Sequence, residues 1–203
     1  MITAIIASWF VSVSEIALQP ANFTQAATSA AVTVSASVTA TISCAVSTTT
    51  TDFGTLTSAS ISTASPNAST SMSCANSSAG CTLSVKNNGG GGNSGLWNSV
   101  SSYLIPSPAS GYPATSTLAA GTEGYGIQGA TTTAGSGATL GAATRYLQTG
   151  NVVGGLLIAG TTLASSSATT SAREMIVTHK AAISTGTSGG SYTDTITYSC
   201  TAN

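Results

Sequence analysis

The chain has 203 residues, of which four are Lys or Arg and five are Asp or Glu, giving a formal net charge of −1. Charged residues make up 4%, against about 25% in an average soluble domain, which excludes a basic stripe for nucleic acid or a cationic face for anionic lipid. Hydrophobic residues reach 41%, and that content without charge excludes a disordered chain.

Ser and Thr together make up roughly a third of the residues, far above ordinary use. Good helix formers are sparse, and the β-branched residues Thr, Val and Ile favour strands. A surface so nearly neutral gives little repulsion between copies. It suits a protein packed against itself or covered by glycan.

Residues 2–13 form a short apolar run, long enough for the core of a signal peptide and too short to span a bilayer. Small residues follow at Ala26 and Ala27, but no Lys or Arg precedes the run. Residues 1–27 are therefore expected to be either a signal-like segment or a retained N-terminal strand. As a strand, Ile5, Ala7, Trp9, Val11 and Val13 would share one face.

Residues 32–46 carry the clearest pattern. Val32, Val34, Ala36, Val38, Ala40, Ile42, Cys44 and Val46 alternate with Ser and Thr over most of the run. Period-two alternation predicts a strand with one buried face. At about 3.3 Å per residue the run would span roughly 50 Å, several times an ordinary strand. Either it breaks near residues 35–37, or its first part pairs with something outside the domain.

Alternation around Met72 and Cys74, and around Cys81, Leu83 and Val85, predicts two more strands. The linking Ala75-Asn-Ser-Ser-Ala-Gly80 reads as a hairpin loop. Residues 86–95 read as a surface loop, and the glycine run at 89–92 lacks the Lys-Ser/Thr pair and the following helix of a phosphate cradle. A short strand around Leu96, Trp97, Tyr103, Leu104 and Ile105 follows, closed by Pro106 and Pro108. Weaker strands are expected over residues 125–127, 144–147 and 152–158, then a better one over 173–180. A further strand is expected over residues 192–200, in which Tyr192, Ile196, Tyr198 and Cys200 share a face. Many short strands with frequent turns predict an all-β sandwich or barrel.

Four cysteines, Cys44, Cys74, Cys81 and Cys200, have no metal-ligand spacing and read as two disulfides in an oxidising compartment. Four cysteines allow three pairings.

Catalytic signals are weak. The single histidine, His179, reads as a solvent-facing residue of a strand, and no nucleophile elbow or carboxylate pair accompanies it. An esterase or protease would need a serine and an acid within hydrogen-bond reach of that imidazole. Asp52, Glu123, Glu174 and Asp194 are too scattered to announce a calcium loop. A Lys–Asn cross-link would draw on Lys86 or Lys180, neither obviously on an apolar face. No enzyme, cofactor, metal or nucleic-acid partner is expected. Asn22, Asn67 and Asn76 begin N-glycosylation sequons, which arise easily in so Ser/Thr-rich a chain.

The run Ala40-Thr-Ile-Ser-Cys-Ala-Val46, then Asp52-Phe-Gly-Thr-Leu56, Ser71-Met-Ser-Cys74 and the closing Gly190-Ser-Tyr-Thr-Asp-Thr-Ile-Thr-Tyr198 resemble the spore coat protein U family, which includes archaic chaperone–usher pilins. The likeness covers residues 38–85 and 188–200. It implies an immunoglobulin-like (pilin-type) β-sandwich that lacks one strand and has an extended N-terminal strand. A neighbouring copy would supply the missing strand, a mode known as donor-strand complementation.

On that likeness residues 28–37 are the candidate donor (Ala30, Val32, Val34 and Ala36), or residues 5–13 if the N-terminus is kept. Residues 38–203 are one sandwich domain. The likeness also implies Cys44–Cys74 with Cys81–Cys200. A hairpin pairing, Cys74–Cys81 with Cys44–Cys200, stays open. Asp52-Phe-Gly would be a turn with Phe53 buried and Gly54 at positive φ.

The expected function is a secreted structural subunit of a pilus-like homopolymer on the cell surface, helped by an assembly chaperone. The competing reading is a monomeric adhesin that stacks a host or surface glycan on Trp97, Tyr103 or Tyr112.

Overall fold

A computed structural model describes residues 32–108 and 114–203. The described chain is all-β, with no helix, and residues 37–203 form one compact unit. Its fourteen strands are β1 (Thr41–Val46), β2 (Ser62–Thr63), β3 (Ala68–Ala75), β4 (Cys81–Asn87), β5 (Gly95–Asn98), β6 (Tyr103–Pro106), β7 (Thr115–Thr117), β8 (Gly124–Thr131), β9 (Ser136–Gly137), β10 (Gly141–Ala142), β11 (Val152–Gly154), β12 (Thr161–Ser165), β13 (Thr170–Ala182) and β14 (Ile196–Ala202).

The larger sheet runs β1-β3-β13-β8-β11-β7, with β2 and β9 also on β13, and the smaller runs β10-β12-β4-β14. All pairings are antiparallel. This arrangement is that of a β-sandwich, because each sheet keeps one apolar face and those faces bury each other. In β3 the buried side chains alternate through Ala68, Thr70, Met72 and Cys74, and in β4 through Cys81, Leu83, Val85 and Asn87. Met72, Leu83, Val85, Ile127, Leu163, Met175 and Val177 are all fully buried between the sheets.

Several sequence expectations need correction. The alternating run is strand only over β1, and residues 32–40 belong to no strand. Residues 75–80 do not close a hairpin, because β3 and β4 lie in different sheets. The link, mostly exposed, passes from one sheet to the other instead, so that both strands turn apolar faces inward. Residues 96–105 form a two-stranded hairpin, β5 with β6, rather than one strand. Residues 144–147 are a turn, held by the Tyr146 N–H donating to the Ala143 carbonyl (2.8 Å), and only residues 152–154 of 152–158 pair.

The hairpin pairing of cysteines is the one observed: Cys74–Cys81 and Cys44–Cys200, with Cα separations of 6.1 and 5.8 Å. Register explains it. Ile42 sits opposite Cys74 and Cys44 opposite Met72. Cys44 and Cys74 are therefore diagonal neighbours on one face, about 7–8 Å apart at Cα, too far to bridge without backbone movement.

Two glycines earn their places. Gly54 has φ of 65° and donates its N–H to Asp52 Oδ1 (2.9 Å), closing the Asp-Phe-Gly turn. Phe53 is half-buried there and meets Tyr125 edge-on, with centroids 6.2 Å apart. Gly90, in the glycine run, lies under Trp97: a Cβ there would come within 2.1 Å of the indole. The expected result for Gly90→Ala is a loss of about 1–3 kcal/mol, from forcing the indole off its seat. Urea denaturation of this variant against Gly92→Ala would check it, since nothing lies within 4 Å of a Cβ at Gly92, although its φ of 80° adds strain of its own.

Candidate functional site: an open cleft between two edge strands

β1 ends the larger sheet and β14 ends the smaller. Each is hydrogen-bonded on one side only, β1 to β3 and β14 to β4. The Cys44–Cys200 disulfide ties the two edges together. On the Val46 and Ile196 side of that tie the edges enclose a cleft of about 400 Å³. Val46, Ala68, Ile196 and Tyr198 give it apolar walls, and residues 48–51 form a threonine rim.

His179 and Asp194 also line this cleft. His179 is 3% exposed, not solvent-facing as expected from sequence. Both of its ring nitrogens are buried without a hydrogen-bond partner, so it forms no relay with a serine and an acid. Burial lowers its pKa from 6.5 to about 4, because the charged imidazolium is desolvated. Its ring stacks on Tyr125, with centroids 6.5 Å apart.

Asp194 caps the turn after β4: its Oδ1 accepts the N–H groups of Asn88 (3.2 Å) and Gly89 (3.0 Å). Its Oδ2 is buried without a hydrogen-bond partner. Burial raises its pKa, and the Gly89 N–H pulls it part of the way back. The Tyr198 hydroxyl is likewise buried and unpartnered, and burial raises its pKa.

Sequence parity contained this information. Met175, Val177 and Ala181 are buried on one face of β13, and His179 lies between them in the same phase. Asp194 shares the even-numbered face of Tyr192, Ile196 and Tyr198. A titratable side chain at two positions of otherwise apolar faces was the available signal.

The other nominated residues are dispersed. Val32 and Val34 are 85% and 89% exposed and lie in no strand. Ala36 is exposed, whereas Ala30, residues 5–13, Asn22 and Tyr112 lie outside the described residues. Asn67 and Asn76 are exposed, Asn76 in the crossing between the sheets with φ of 59°.

Trp97 and Tyr103 are half-buried, not open platforms. Trp97 packs over the glycine run, and the Tyr103 hydroxyl donates to Glu123 (2.7 Å). Ser184 and Thr187 hydroxyls converge on the same Glu123 oxygen. Lys180 donates to the Gly150 carbonyl, and Lys86 is exposed while its neighbour Asn87 points inward. Among the described residues no group of three His, Cys, Asp or Glu could hold a metal ion, and no helix is long and apolar enough to cross a membrane.

No protein-family model, curated protein or solved structure matches the chain.

Proposed function

We propose that the protein is a structural subunit of an extracellular filament, an immunoglobulin-like, pilin-type sandwich in which residues 30–36 of one copy fill the β1–β14 cleft of the next. The observation that carries this reading is the exposure of Val32, Val34 and Val38, at 85%, 89% and 74%, on an alternating stretch outside every strand. Large apolar side chains in a row are seldom left in water unless a partner covers them.

The cleft offers what such a stretch lacks. Free N–H and C=O groups on β1 and β14 can pair with an incoming strand, and the walls at Val46, Ile196 and Tyr198 can take its valines. Unpaired edges of this kind promote wrong association, which gives an assembly chaperone a purpose before polymerisation. One tail into one cleft is a head-to-tail contact that does not close, so copies add without limit. Two disulfides fit export to an oxidising compartment, and a near-neutral Ser/Thr-rich surface fits close packing. No catalytic role is assigned.

Electron micrographs of the purified full chain at neutral pH are the direct test. Thin unbranched filaments are expected. A monomer at every concentration, confirmed by sedimentation, overturns the proposal.

A further inference from the structure

We propose that His179 makes the cleft acid-sensitive, so that junctions between copies open when its imidazole takes up a proton; this inference rests on the filament reading above. His179 stands on β13 at the cleft, with both nitrogens buried and without hydrogen-bond partners. The groups facing it are the Tyr125 ring of β8, and Asp194 and Tyr198 across the cleft on the segment that leads into and forms β14. β1, β3 and residues 48–51 contribute Val46, Ala68 and threonines, with no Lys or Arg among the lining residues. Asp194 is therefore the one other charged or acidic side chain among the residues lining the cleft.

His179 lines the open cleft although its nitrogens are buried, so a protonated imidazole there has water close by across the cleft wall. A strand seated in the cleft displaces that water, so an imidazolium beneath it is harder still to hold unless paired. Seating and protonation therefore oppose each other. By linkage, each junction that opens takes up as much as one proton, and the assembly constant falls by up to about tenfold per pH unit once the imidazole of the open cleft titrates.

Asp194 acts in the other direction. Its carboxyl is pushed upward by burial, and it too takes up a proton as the pH falls. Neutral Asp194 is easier to cover than the carboxylate, so its protonation favours the junction. Once neutral it also offers no countercharge to the imidazolium. The junction should thus survive mild acid and fail near pH 4, where His179 titrates.

The experiment follows polymer of the full chain by sedimentation from pH 7 to 3, with circular dichroism on the supernatant. Wild-type polymer is expected to release folded subunits near pH 4, while His179→Gln and His179→Phe polymers persist. The Phe variant keeps the stack on Tyr125 should Gln fail to fold. Asp194→Asn should leave release near pH 4 in place, because His179 remains. Potentiometry on the wild type needs no variant: below pH 4, release should consume close to one proton per junction.

Dissociation of both His179 variants along the wild-type curve, release without proton uptake, or release of unfolded chains alone would each overturn the inference. Absence of polymer at pH 7 instead removes the filament reading itself.

Discussion

Replacing Cys44 and Cys200 together with alanine is expected to lower the unfolding free energy by about 5 kcal/mol, while the same change at Cys74 and Cys81 lowers it by about 2.5 kcal/mol. The difference follows from loop length. The first bridge closes a separation of 156 residues and the second a separation of 7. A long closed loop removes far more freedom from the unfolded chain. Both figures are upper values, because a compact unfolded chain has less freedom to lose.

The position of the first bridge adds to its effect. Cys44 and Cys200 lie on the terminal strands of opposite sheets, whose backbones are hydrogen-bonded only inward. Without the bridge nothing covalent holds that side of the sandwich together, whereas β3 and β4 are joined in sequence whatever happens at Cys74. Thermal melts of both double variants under oxidising conditions check the order. The Cys44/Cys200 variant should melt roughly 10–20 °C below the wild type. Equal losses would show that the two edge strands are held by packing rather than by the bridge.

The second large effect is on assembly. The double variant Val32→Asp/Val34→Asp is expected to fold as the wild type does, with an unchanged melting temperature, and to form no filaments. Both side chains are more than four-fifths exposed, so the isolated fold gains nothing from them. In a junction each would be buried, for about 1.5–3 kcal/mol apiece, and two carboxylates there would cost more still. Losing even 4 kcal/mol weakens association about a thousandfold. Val100→Asp is the control, because Val100 is 97% exposed in the β5–β6 turn and has no part in the donor pattern. It should leave assembly untouched. Filaments of normal length from the Val32/Val34 variant would remove these residues from the donor role.

The relation between pattern and position sets what could be read in advance. The strands β1, β3, β4, β13 and β14, the all-β class, the positive φ of Gly54 and the inward face of Tyr192, Ile196, Tyr198 and Cys200 all follow from local rules. Alternation, turn chemistry and the steric freedom of glycine act within a few residues. The inward position of His179 belonged to the same class of information, because it shares the phase of Met175, Val177 and Ala181. Its chemical type pointed outward while its phase pointed inward, and phase prevailed because packing across β13 places every second side chain in the core.

The partner of each strand lay outside local rules. Residues 75–80 have the length of a hairpin loop, yet the two strands they join enter different sheets. Residues 32–40 have the same alternation as β1 and still form no strand, because a strand is defined by the backbone it bonds to, and these residues have no such partner among the described residues. Cys44 could be paired only once register put it diagonal to Cys74 and brought Cys200 within 5.8 Å. The cleft, with its apolar walls and its unpaired imidazole, arises from two edges separated by most of the chain, so packing between the sheets created it and no stretch of sequence contained it.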